Sequence, residues 1–213
     1  VISPAMPSLP PMPPMPPILD IVGIAIFALS GAIVAAREKQ TFVTMAFFAL
    51  ITGVGGGTVR DILIGAPVFW MRDPFTAPIC LAMAFLVWFA PDRWWSPRLL
   101  AFADAAGLAA YAVLGTVKAL RFDLPPATAI LMGIVTGCVG GIIRDIIAGQ
   151  PSILMRHEIY VTAAALSATL AAVGWFIGLP LAVLWIIATG AGFALRGAAI
   201  HWSLALPAYK TKP

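Results

Sequence analysis

Charge is what this chain has least of. Asp, Glu, Lys and Arg make up 10% of its 213 residues, against 61% hydrophobic, and mean hydropathy is +0.98. A soluble domain carries about 25% charged residues, so a water-covered surface is excluded and the solvent is lipid. Cysteine and histidine are nearly absent too. Cys80 and Cys138 lie singly inside apolar runs, and His157 and His201 are isolated, so no zinc or haem ligand set can be assembled. There is no Ser/His/Asp set and no pair of catalytic carboxylates, so no catalytic residue, metal or cofactor is expected and the chain does not read as an enzyme. The net charge of +4 comes from cations scattered between apolar stretches, with no basic run. That distribution excludes a nucleic-acid footprint and reports orientation in a membrane instead.

What is present is a series of long apolar segments. Seven are legible, at about residues 18–36, 42–65, 76–90, 99–120, 127–149, 159–177 and 180–200, and every link between them carries Pro, Gly or charge. At ~20 residues per crossing, the chain reads as an all-α integral membrane protein with seven transmembrane helices. Before them, residues 1–17 are rich in proline and methionine, which opposes helix, and are expected to form a disordered leader. With seven crossings the termini lie on opposite sides. Arg37, Lys39, Arg93, Arg98, Arg156, Arg196, Lys210 and Lys212 fall on the C-terminal side, against Arg72, Lys118, Arg121 and at most Arg60 on the other. The excess of cations puts the C-terminus in the cytoplasm and the N-terminus outside.

Shifted by 84 residues, the sequence matches itself without a gap. Asp20, Gly23, Ala28, Gly31 and Arg37 meet Asp104, Gly107, Ala112, Gly115 and Arg121, and Arg60-Asp61-Ile62 and Met71-Arg72 meet Arg144-Asp145-Ile146 and Met155-Arg156. From Asp20 to Arg72 there are 19 identities in 53 positions. Shared composition explains Ala and Gly matches, but not Arg-Asp, Pro and Met-Arg in one register. Each unit holds three helices, an odd number, so the second enters the membrane upside down: an inverted 3+3 repeat plus one C-terminal helix. The expected divisions are 18–97 for the first repeat, 98–178 for the second, 179–202 for the seventh helix and 203–213 for a cytoplasmic tail.

The sharpest local feature is Gly53-Val54-Gly55-Gly56-Gly57 followed by Arg60-Asp61, and its copy Gly137-Cys138-Val139-Gly140-Gly141 followed by Arg144-Asp145. Glycine costs about 1 kcal/mol relative to alanine inside a helix, so these runs are expected to break helices two and five. Paired interruptions in two inverted halves point to an ion or substrate pathway, and freed carbonyls can replace part of a cation's hydration shell. A second reading stands beside this one: Gly53/Gly57 and Gly137/Gly141 have GxxxG spacing, which permits close helix packing without any pathway. No Lys-Ser/Thr follows the glycines, so they are not a phosphate loop.

An Arg or Asp at the centre of a membrane helix costs about 2.5–3.5 kcal/mol. Arg60, Asp61, Arg144 and Asp145 must therefore pair, reach water or anchor at an interface. Because neighbours on a helix point apart, the pseudo-two-fold makes crossed pairs, Arg60 with Asp145 and Arg144 with Asp61, the natural expectation. Lys118 lies well inside helix four where its repeat equivalent is Val34; it is either an intramembrane functional charge or a cation that snorkels to the helix end. Asp20 and Asp104 are expected to cap helix starts. Trp70, Trp88, Trp94, Trp95 and Trp202 read as interfacial anchors.

Asp20-x-x-Gly23, Phe27-Ala28-x-Ser30-Gly31, the Gly-Gly-Gly-Thr-Val-Arg-Asp stretch from Gly55, and the second copies at Asp104 and Gly140 together resemble the prokaryotic trimeric intracellular cation (TRIC) channels, a family also known as a glycine-transporter domain family. The resemblance covers residues 19–201. It implies a homotrimer in a bacterial-type inner membrane. Each protomer would hold its own potassium-permeable pore between the inverted repeats, kinked at Gly55–Gly57 and at Gly140-Gly141. Lys118 and Arg121 are only loosely similar to the basic motif of animal relatives, whose acidic residue is Ala119 here, so phosphoinositide binding is not implied. The partners implied are potassium or other monovalent cations and membrane lipids. A secondary transporter for a small amino acid such as glycine is the alternative function.

Overall fold

The computed structural model describes residues 17–155 and 158–207. The expected leader falls outside them except for Pro17, as do Arg156 and His157 and, of the expected tail, residues 208–213. The described residues form seven α-helices: α1 (Pro17–Arg37), α2 (Phe42–Leu63), α3 (Thr76–Phe89), α4 (Pro97–Arg121), α5 (Pro126–Ile147), α6 (Val161–Phe176) and α7 (Leu181–Trp202). Five are long and apolar enough to cross a membrane, while α3 and α6, the third helix of each repeat, have 14 and 16 residues. At 1.5 Å per residue these two fall short of a ~30 Å hydrocarbon core, and they do so at equivalent places in the two halves.

The helix ends follow local chemistry. Thr41 caps α2, its Oγ1 accepting from Thr44 N at 3.3 Å, and Ser96 caps α4 from Leu99 N at 3.1 Å with Pro97 in the first turn. Gly65 and Gly149, with φ of +69° and +67°, stop the chain just past α2 and α5, 84 residues apart.

Within each repeat the first helix packs along the second, α1 on α2 and α4 on α5, and the halves join through α2 on α5 and α1 on α4. The duplication is visible in the contacts themselves. A side chain at Gly23 would strike the Tyr111 ring, and one at Gly107 would lie 3.1 Å from Phe27, where Tyr111 and Phe27 are equivalent residues. Those two rings meet edge to face at 5.0 Å, astride the pseudo-two-fold. Helix α7 lies against α4 and α6, completing the second half. On the face where α1, α5 and α7 end, Gln150 Nε2 donates to Glu38 Oε1 at 2.7 Å, tying the loops of the two repeats together.

Candidate functional site: a glycine seam between two charged clusters

Helices α2 and α5 run unbroken through both glycine runs, so the expected helix breaks are absent. At Gly56 and Gly140 the bare face is where the backbone of the opposite helix lies, while Gly55, Gly57 and Gly141 face the side chains of Ile143, Phe69 and Tyr160. A Cβ at Gly56 would collide with the Thr136 carbonyl oxygen, and one at Gly140 would stand 2.7 Å from the Thr52 carbonyl oxygen. These two contacts exchange under the 84-residue shift. On the outer sides of the seam, Gly53 faces Ile24 and Ala28 of α1, and Gly137 faces the equivalent Leu108 and Ala112 of α4. This is the small-residue packing reading of the GxxxG spacing. Its packing contacts outweigh the ~1 kcal/mol propensity cost of each glycine. Tyr111 adds one polar contact across the halves, donating its hydroxyl to the Gly53 carbonyl at 3.2 Å.

Each end of the seam carries a charged cluster. Near the N-terminal face, Arg60 Nε donates to Asp61 Oδ1 at 2.8 Å, and Asp61 Oδ2 accepts from Phe69 N at 2.9 Å. Near the C-terminal face, Arg144 Nε donates to Asp145 Oδ1 at 3.0 Å, and Asp145 Oδ2 accepts from Ile153 N at 3.1 Å. The crossed pairing expected from sequence is therefore corrected. Each arginine pairs with the aspartate next to it, because the loop amide turns the carboxylate toward the helix end and the long guanidinium arm folds after it. All four side chains are buried, and each arginine–aspartate pair forms within one half.

The clusters differ in their third member. Lys118 Nζ reaches Asp61 Oδ1 at 2.7 Å, and both Lys118 and Arg60 lie about 6 Å from the centre of the Phe69 ring. Lys118 thus lies in the last turn of α4, partly exposed, with its charge paired to Asp61. In the other half Val34 occupies the equivalent place, and Arg144 turns instead to Asp104, Nη1 to Oδ1 at 2.6 Å, and to Ser30 Oγ at 3.1 Å. Asp104 lies in the eighth position of α4 and caps nothing, which corrects its expected role. Asp20 does lie in the first turn of α1. Trp95 is buried rather than interfacial, while Trp88, Trp94 and Trp202 are exposed.

Asp104, Arg144 and Asp145 of the C-terminal-face cluster line a cleft of about 520 Å³, together with Val34, Arg37, Arg98 and the end of α7. Arg196 of α7 pairs with Glu158 Oε2 on its rim and donates to the Ile159 carbonyl at 3.3 Å. Sequence did not single out Ser30 as a partner of Arg144, Tyr111 and Thr136 as members of the seam, or Glu158 and Arg196 as a pair. For Ser30 the available signal was that it is the one polar residue of α1 between Asp20 and Arg37. Among the described residues no group of His, Cys, Asp and Glu has metal-holding geometry.

Paired glycine contacts, charge clusters exchanged by an internal two-fold, and five apolar spans define a membrane protein of inverted-repeat architecture. The glycine transporter family model matches residues 17–92 and 101–175, one segment on each repeat. A UPF0126 membrane protein of Vibrio cholerae is 35% identical over 193 residues, covering 88% of this chain and 80% of that one. The UPF0126 inner membrane protein YadS of Escherichia coli is 34% identical, covering 88% and 93%. Among solved structures, the TRIC trimeric intracellular cation channel orthologue from Rhodobacter sphaeroides superposes with a TM-score of 0.81 at 36% identity, covering 88% of this chain and 97% of that one. A prokaryotic TRIC channel crystallised in 0.5 M KCl gives 0.80 at 25% identity, covering 88% and 96%. The chain belongs to the prokaryotic TRIC channel family, which is the glycine transporter family of the sequence model.

Proposed function

We propose that this protein is a potassium-permeable monovalent cation channel of the bacterial inner membrane. The pathway in each protomer follows the α2–α5 seam between the Asp61 and Asp145 clusters. The observation that carries the reading is the seam itself: two inverted helices in backbone contact through glycine, with Asp61 between two cations at one mouth and Asp104 and Asp145 sharing Arg144 at the other. Parting α2 from α5 there would uncover the Thr52 and Thr136 carbonyl oxygens, a set of neutral acceptors suited to a partly dehydrated cation. Gly53, Gly55, Gly56, Gly57, Gly137, Gly140 and Gly141 serve the pathway as close-packing positions, which is how two helices can touch and separate. Lys118 neutralises Asp61 at one mouth, while Asp145 faces the cleft at the other. The protomer carries its own pathway and assembles as a homotrimer, a reading supported by the name of its Rhodobacter sphaeroides relative, which calls that protein trimeric. The C-terminal face, with the cleft, is cytoplasmic by its arginine excess.

The test is potassium efflux from liposomes containing the purified protein, run beside glycine counterflow. Rapid, non-saturating potassium efflux without glycine exchange supports the channel. Saturable glycine exchange with no potassium efflux would replace it with the transporter that the family model's description names.

A further inference from the structure

The chain does not leave the molecule at the end of α7. Ser203 adopts a left-handed conformation, φ 52° and ψ 41°, its N–H and that of Leu204 both turning back to the Ala199 carbonyl. This bend sends the following residues sideways, and Ala205 pairs antiparallel with Glu158 in the segment that leads into α6. Glu158 is itself held from α7 by the buried Arg196, which also grips the Ile159 carbonyl and lies 5.4 Å from the Tyr160 ring centre. The result is a closed loop of structure: α7, the turn at Ser203, the pairing at Ala205 and Glu158, and back through Arg196.

This loop borders the cleft that Asp104, Arg144 and Asp145 also line, with Ser203, Leu204 and Ala205 forming part of its wall. Yet it is lightly held. Residues 203–207 are exposed, with Leu204 at 46% and Leu206 at 44%, so no apolar side chain anchors them. A segment fastened by one backbone pairing and the turn at Ala199, with the ion pair holding only its partner Glu158 to α7 and no apolar area buried, opens at low free energy. Its non-glycine left-handed residue adds a local bias against the bent form. The other borders of the cleft are transmembrane helices and their packed loops.

We infer that residues 203–207 are a strap that narrows the C-terminal-face cleft, latched at Glu158 by Arg196, and that its release widens access to the Asp104–Arg144–Asp145 cluster. That release raises ion flux rests on the proposed pathway; the change in access does not.

Access is read by introducing Ala101→Cys on the wall of the cleft and timing its reaction with a charged thiol reagent in the full-length protein. Cys80 and Cys138 are buried, and the parent chain gives their background. Three releases are compared with the intact strap: deletion of residues 204–213, Ala205→Pro in the full-length chain, and Glu158→Gln. Gln40→Cys, exposed on the same face and not lining the cleft, controls for general loosening. The strap predicts that deletion and Ala205→Pro both speed Ala101→Cys labelling by roughly threefold or more, with Glu158→Gln also faster, and that Gln40→Cys is unchanged. A smaller change in both, in protein that elutes as the parent does, overturns it. Ala205→Pro keeps the test readable if the deletion does not fold. Potassium efflux from the same variants separates the two ideas. Faster labelling with no potassium flux in any variant, parent included, would defeat the pathway and leave the strap standing. Unchanged labelling with intact flux would do the reverse.

Discussion

Replacing Gly140 by alanine places one methyl group 2.7 Å from the Thr52 carbonyl oxygen, and that oxygen belongs to backbone rather than to a flexible side chain. Restoring ordinary contact at 3.4 Å requires α2 and α5 to separate by roughly 0.7 Å at the seam. Overpacking of this kind costs typically 1–3 kcal/mol. Alanine also favours helix by about 1 kcal/mol over glycine, which offsets part of the loss, so the cleanest comparison is with a glycine that has room. Gly190, in α7, is such a control: a Cβ there meets nothing within 4 Å. The propensity gain is common to both variants and cancels between them. Gly140→Ala should therefore be about 1–3 kcal/mol less stable than Gly190→Ala, a difference of several degrees in Tm for a chain of this length. Thermal unfolding in detergent, followed by fluorescence, measures it. Equal midpoints for the two variants would refute the claim that Gly140 is glycine because of the approach of α2.

Four further outcomes follow from the clusters. Arg144→Ala leaves Asp104, Asp145 and Ser30 without their shared partner and should cost about 3–5 kcal/mol. Arg60→Ala should cost less, because Lys118 still neutralises Asp61; a reversed order in chemical denaturation would contradict the asymmetry. Lys118→Met leaves Asp61 with Arg60 and the Phe69 amide, so a loss of about 1–3 kcal/mol is expected, reduced by the partial exposure of the lysine. A double-mutant cycle between Arg60 and Asp145 should show coupling below about 0.5 kcal/mol, while one between Arg144 and Asp104 should show about 1 kcal/mol or more.

The fold was legible where a signal is local and repeated. Hydropathy located all seven helices, and the register of Arg-Asp, Pro and Met-Arg exposed the duplication before any contact was known. The glycine runs misled because propensity describes one helix in isolation. Nothing in Gly53–Gly57 alone says that Thr136 lies against it, and that neighbour decides whether glycine breaks the helix or lets another approach. The pairing of Arg60 with Asp61 was hidden for a related reason: Cα directions diverge between neighbours, but a guanidinium on three methylenes reaches past them once the Phe69 amide has turned the carboxylate. Asp104 could have been read correctly. Ser96-Pro97 is itself a helix start, which places Asp104 two turns inside α4 and leaves it in need of a buried cation. The role of Ser30 required the three-dimensional meeting of α1 with α5.

The central claim is that cations cross at the α2–α5 seam, and single-channel recording in planar bilayers under asymmetric potassium chloride tests it most directly. The account predicts unitary currents that reverse toward the potassium potential. It also predicts that Gly140→Ala, which forces the seam apart, changes open probability or conductance while Gly190→Ala leaves both as in the parent. Currents reversing at the chloride potential, or potassium currents indifferent to Gly140→Ala in folded protein, would contradict it.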